Sequence, residues 1–129
     1  MNYYEKVEKV KGDIEKLKTE KEKYEKMKGE LNSVQENISK GIRNLQEGYN
    51  NLNSGYTSNG NDDLKRKKTR ISNKINYLQK ICSKIRNNMI SECISKISSK
   101  QKDIERKENE IVELKRMIKK MEDEHNVKL

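Results

Sequence analysis

The side chains best suited to chemistry in this sequence are two cysteines and one histidine. Cys82 and Cys93 lie eleven residues apart, and His125 lies in the charged C-terminal segment. A catalytic thiol needs a neighbouring base, and a zinc site needs several clustered thiolates and imidazoles. One histidine distant in sequence from both cysteines meets neither need, so we expect no catalytic residue, no metal site and no cofactor.

The remaining reactive groups are carboxylates, and their spacing indicates structure rather than catalysis. Glu and Lys alternate in runs such as Glu20-Lys21-Glu22-Lys23, where ion pairs one helical turn apart explain them. Within one helix, Cys82 and Cys93 would stand about 16 Å apart, beyond the reach of a disulfide. The sequence therefore indicates a non-enzymatic protein suited to a reducing cytosol.

We expect these groups to lie on long helices, because the apolar residues are few and recur at a regular spacing. Of 129 residues, 40% are charged and 30% hydrophobic, with no Phe, Trp or Pro, which predicts a thin core. Apolar residues at a seven-residue spacing predict helix 1 over about residues 2–52. They are Val10, Leu17, Tyr24, Leu31, Ile38, Leu45 and Leu52.

Asn, Ser and Gly cluster at residues 53–61, which predicts a turn, and Asp62-Asp63 favours the start of helix 2 over about 62–125. In helix 2 the apolar spacing slips by one residue between Met89 and Ile90. The predicted fold is all-α: a single long antiparallel two-helix hairpin of coiled-coil type over residues 1–129.

Antiparallel partners should have residue numbers with a nearly constant sum, about 113 before the slip and about 114 after it. This predicts Leu31 opposite Cys82 and Tyr24 opposite Met89. It also places Lys100 opposite Ile14 and Lys107 opposite Val7, so these lysines should extend outward along their aliphatic stems.

The same pairing leaves Leu114, Ile118 and Met121 beyond the start of helix 1. An aligned apolar stripe without an intrachain partner favours contact with another protein or a second copy, and fraying of this end is the alternative.

A short repeat places Gly41, Gly48 and Gly55 at a seven-residue spacing, each followed by Ile42, Tyr49 or Tyr56. Each glycine costs a helix up to about 1 kcal/mol relative to alanine. Such a column beside aromatic residues would admit the close approach of a third helix, or it would mark a loosened helix end near the turn.

The net charge of +9 originates in residues 64–102, which hold 12 basic residues and one acidic residue. The densest patch comprises Lys65, Arg66, Lys67, Lys68 and Arg70. Its charge suits nucleic acid, an acidic protein or an anionic membrane surface. Because Tyr77 is the nearest aromatic residue, stacking of bases is poorly supported, and an acidic protein partner or a solvated face is favoured. No segment approaches the ~20 apolar residues of a membrane span, and no cleaved secretion signal is expected.

The Tyr-containing N-terminus, the Lys/Glu heptads, the Gly-containing centre and the isoleucine repeat of the second helix resemble the small α-helical partners of LXG-domain toxins. These belong to Gram-positive type VII secretion and are similar in architecture to WXG100 proteins. Ser54-Gly55-Tyr56 or Asn59-Gly60 stands nearest to that architecture's Trp-x-Gly turn. The resemblance implies that the chain binds a toxin's helical N-terminal domain in the cytoplasm and helps to present it for export without a cleaved signal peptide.

The resulting functional hypothesis is an adaptor or targeting chaperone that packs its hairpin against a helical partner. A basic helical nucleic-acid-binding protein and another type of coiled-coil export chaperone are the alternatives.

Overall fold

A computed structural model describes the backbone of residues 2–55 and 62–128, and the side chains of 2–52 and 62–125. The described residues form helix α1 (Tyr3–Gly55), helix α2 (Asp62–Lys84), a π-helix (Ile85–Ile90) and helix α3 (Ser91–Lys128). The two helical stretches form an antiparallel hairpin, which confirms the predicted fold class. Residues 53–55, predicted as turn, are helical, whereas 56–61 lie outside the described residues.

Local sequence signals explain where the helices begin. The Asn2 side-chain oxygen accepts a hydrogen bond from the Glu5 backbone N–H at 2.8 Å and so caps the N-terminus of α1. Asp62 and Asp63 place negative charge in the first turn of α2, where the helix dipole favours it.

The π-helix accounts for the slip in the apolar spacing. A π-helical turn accommodates one additional residue, so Ile85 and Ile90 both point inward although five positions separate them. Both isoleucines are buried, whereas Met89 is 51% exposed. The predicted contact of Met89 with Tyr24 is therefore wrong, because the additional residue turns Met89 outward in favour of Ile90.

The chain divides into two compact units, which we describe separately. Unit 1 comprises Met1–Met27 and Cys93–Leu129, and unit 2 comprises Lys28–Glu92. Unit 1 has a closed apolar core formed by Val7, Val10, Ile14, Ile104 and Leu114, against which Tyr3, Leu17, Ile111 and Ile118 pack. Leu114 thus has intrachain partners, contrary to the expectation that it extends beyond helix 1.

Ion pairs between the helices of unit 1 report their axial offset. Lys100 Nζ lies 2.6 Å from Glu20 Oε2, and Lys107 Nζ lies 3.8 Å from Asp13 Oδ2. Both lysines extend outward as expected, but each meets an acid six residues further along α1 than its predicted partner. The Lys100 hydrogen bond lowers the pKa of Glu20, and Glu20 raises the pKa of Lys100.

The N-terminal turn of α1 is tied to the last turns of α3 in unit 1. The Tyr4 hydroxyl donates a hydrogen bond to Glu122 Oε1 at 2.6 Å, and this bond raises the pKa of Tyr4. This contact lies beyond Ile118 in sequence. Helix 1 therefore covers more of helix 2 than the predicted pairing allowed.

Unit 2 has a much smaller core. Its buried residues, among those described, are Cys82, Ile85 and Ile90, and all three come from the second helical stretch. The Cys82 thiol lies 4.0 Å from the Gln35 carbonyl oxygen rather than opposite Leu31, the predicted partner. The pairing in unit 2 is thus also shifted by about one helical turn.

Candidate functional site

The cysteines and the histidine do not form a reactive centre. Cys82 and Cys93 are buried free thiols in different units, and His125 is exposed on α3. Within the described ranges, no group of three or more His, Cys, Asp or Glu side chains is arranged to hold a metal ion. The candidate site is an accessible surface of unit 2.

Unit 2 leaves the α1 side of its helical seam partly accessible. The seam residues of α1 in this unit are all partly accessible, and none between 28 and 52 is buried. They are Leu31, Ile38, Ile42, Leu45 and Leu52. In unit 1, two antiparallel helical segments bury six of the described residues: Val7, Val10, Ile14, Cys93, Ile104 and Leu114. The difference follows from composition, since polar residues such as Lys28 and Gln35 interrupt the seam of unit 2.

One side of unit 2 carries a shallow groove of mixed polar and apolar lining. Gln46, Tyr49 and Asn50 of α1 line it together with Ser72 and Ile75 of α2. Lys68 borders the same region, with its ammonium group 5.9 Å from the centre of the Tyr49 ring. Tyr49, a predicted partner-binding residue, is therefore half buried and engaged by a cation of its own chain.

The opposite side of unit 2 carries the edge of α1 that contains Gly41 and Gly48. The groove lies along one edge of α1 and one edge of α2. Heptad geometry then places the opposite edge of α1 beside the opposite edge of α2. We call this surface the open face; it comprises Val34, Gly41 and Gly48 of α1 with Lys67, Lys74 and Ile81 of α2. A Cβ atom added at Gly41 or Gly48 would meet nothing within 4 Å. Val34 is 46% exposed and Gly41 and Gly48 are half buried, so the described residues leave this edge of α1 accessible.

The other predicted partner-binding residues do not join the open face as a single surface. Gly55 is the last residue of α1, and Tyr56 lies outside the described residues. Leu114 is buried in the core of unit 1, and Ile118 packs against that core. Met121 is 46% exposed, so it is more accessible than Leu114 and Ile118 of the predicted C-terminal stripe.

The predicted basic patch is largely solvent-accessible. Lys65, Arg66, Lys67 and Arg70 are exposed, and Lys68 is half buried beside Tyr49. Arg66 Nη1 lies 3.8 Å from Asp63 Oδ1. All other ion pairs between described residues are in unit 1. The cations of α2 are therefore concentrated where few described carboxylates pair with them.

Sequence reasoning missed Val34, Lys74 and Ile81 as members of the same face. A signal was present, because Val34 precedes Gly41 by seven residues and Lys67, Lys74 and Ile81 share that spacing. Spacing alone did not show that the two rows are adjacent. That adjacency depends on how α1 and α2 are paired.

Within the helices that the structure describes, none has an apolar run long enough to cross a membrane. Comparison with known proteins found no matching family model and no significant match to a curated protein or a solved structure.

Proposed function

We propose that this protein is a non-enzymatic adaptor or targeting chaperone that packs its helical hairpin against a helical partner protein. The partner adds helical surface to unit 2, whose own two segments cover the seam incompletely. Unit 1 holds the hairpin together through its closed core.

The partly accessible seam of unit 2, with the exposed Val34 beside it, carries this proposal. An apolar side chain stabilises a protein by about 1.5–3 kcal/mol when it is fully buried, so each partly accessible residue leaves part of that free energy unused. An additional helix would bury Val34 and the accessible parts of Ile38 and Leu45. Aligned apolar residues that remain accessible are typical of protein-interaction surfaces.

The resemblance to the small partners of LXG-domain toxins supports a specific kind of partner. We propose that the hairpin binds the helical N-terminal domain of such a toxin in the cytoplasm and accompanies it toward type VII secretion. The long, charged helices and the Gly-containing centre of α1 suit a bundle of this type. Self-association of the hairpin is the competing use of the same surface.

Co-expression with the helical N-terminal domain of an LXG toxin encoded beside this gene tests the proposal. We expect a stoichiometric complex that survives size-exclusion chromatography. Val34→Glu should weaken the complex by about 2 kcal/mol, or roughly thirtyfold in Kd, because it places a carboxylate in an apolar contact.

Val112→Glu is the matched control, since Val112 is 67% exposed on α3 in unit 1 and lies outside the open face. Its Kd should stay within about threefold of that of the unaltered chain. A chain that remains a stable monomer and binds no toxin domain would contradict the proposal. A concentration-dependent dimer that excludes the toxin domain would replace it with self-association.

A further inference from the structure

The charges of the open face differ from those at the corresponding positions in unit 1. In unit 1, Asp13 of α1 forms an ion pair with Lys107 of α3, and Glu20 of α1 forms one with Lys100 of α3. Seven-residue steps along α1 from Glu20 lead to Met27, then Val34, Gly41 and Gly48. The heptad position that supplies the acids in unit 1 therefore holds uncharged residues in unit 2.

The cations of α2 beside this edge consequently lack a carboxylate from α1. Lys67 and Lys74 are exposed, as is Arg70 between them, and none forms an ion pair with a described residue. In paired helices, charges flanking the apolar seam determine which partner is accepted. Because these cations form no ion pair with a described residue, they predict that whatever covers the open face carries negative charge.

We infer that the open face takes an amphipathic helix of a partner protein whose flanking residues are acidic, an inference that rests on the proposed function. The partner's apolar residues pack on Val34 and Ile81, and its carboxylates meet Lys67 and Lys74. These two lysines are about 10 Å apart along the helix axis, so the carboxylates recur at heptad spacing.

The open face fits a helix better than it fits nucleic acid or a second copy. It combines apolar Val34 and Ile81 with its cations, whereas a phosphate backbone requires only charge. The exposed aromatic side chain of α2, Tyr77, lies one helical turn from both Lys74 and Ile81 and is 65% exposed. It is a single aromatic residue, whereas single-stranded nucleic acid stacks successive bases on several. A second copy would bring its own row of lysines, and the net charge of +9 opposes that pairing.

Three synthetic four-heptad peptides provide the test with the full chain. They share the same Leu and Ile seam and carry Glu, Gln or Lys at the flanking positions, and binding is measured by fluorescence anisotropy. We expect the Glu peptide to bind about tenfold more tightly than the Gln peptide, and the Lys peptide to bind most weakly. The preference should shrink as salt is raised, because the flanking charges are solvent-exposed.

Charge reversal locates the interaction. Lys67→Glu combined with Lys74→Glu should weaken binding of the Glu peptide at least about tenfold and strengthen binding of the Lys peptide. The control, Lys65→Glu with Lys80→Glu, makes the same change in net charge on α2 but outside the open face. It should alter Kd by less than about threefold.

The outcomes separate this inference from the proposed function. Equal binding of the Glu and Gln peptides, or equal effects of the two double variants, would overturn the acidic partner while leaving helix binding intact. Failure of every peptide, together with failure to bind the toxin domain, would overturn both. Tight binding of a single-stranded oligonucleotide that both double variants weaken equally would assign the cations to nucleic acid instead.

Discussion

Replacing Gly41 and Gly48 by alanine tests whether the open face is uncovered in the isolated chain. Both residues lie inside α1, and an added Cβ at either meets nothing within 4 Å. A glycine inside a helix costs about 1 kcal/mol relative to alanine, chiefly through backbone entropy. The double variant should therefore raise the free energy of unfolding by about 2 kcal/mol.

Thermal and urea unfolding followed by circular dichroism measure this gain. About 2 kcal/mol corresponds to a rise in Tm of roughly 6 to 10 °C for a chain of this size. Gly12→Ala with Gly29→Ala is the matched control, since these glycines also lie in α1 with nothing within 4 Å of an added Cβ. The two double variants should be stabilised equally.

Substitutions at Gly41 and Gly48 also distinguish an effect on stability from an effect on partner binding. Leucine at Gly41 and Gly48 adds a bulky side chain to the open face, where it blocks the close approach of a partner helix. We expect weaker capture of the toxin domain than with leucine at Gly12 and Gly29. Loss of stability in the Gly41 and Gly48 alanine variant, with a gain in the control, would refute the reasoning, because these glycines would then be covered in the isolated protein.

Three further predictions concern the π-helix, the ion pairs and the thiols. Deletion of Asn88 should convert the π-helix to α-helix and keep the apolar spacing in phase, so Tm should fall far less than after a one-residue deletion in the middle of α3. In a carboxyl titration by NMR, Glu20 should titrate below an ordinary glutamate and return toward the ordinary value in Lys100→Met, because Lys100 lowers its pKa. Since the folded-state pKa is lowered, the stabilisation from this pair should be present above the unfolded-state pKa and lost as pH falls through the folded-state pKa. In alkylation under increasing urea, Cys82 should react before Cys93, because unit 2 has the smaller core; equal reactivity would contradict the difference between the units.

Much of the fold follows from local periodicity. The seven-residue spacing predicted two long helices, and the slip between Met89 and Ile90 marked the position of the π-helix. Periodicity succeeds here because it determines which side of a helix is apolar, and a one-residue insertion changes that side by about 100°. The open face was predicted only in part, since Gly41 and Gly48 were recognised but their neighbours on α2 were not.

The axial offset of the helices was decided by the tertiary structure. A heptad pattern matches apolar to apolar residues at several offsets, so the sequence alone did not distinguish Ile14 from Glu20 as the neighbour of Lys100. The extension of α1 to Gly55 shifts the pairing and brings Leu114 into the core of unit 1. The sequence by itself thus determined the helices, their apolar sides and the excess of positive charge. Only the pairing of the helices decided which acids meet which lysines, because ion pairs and core contacts join residues distant in sequence.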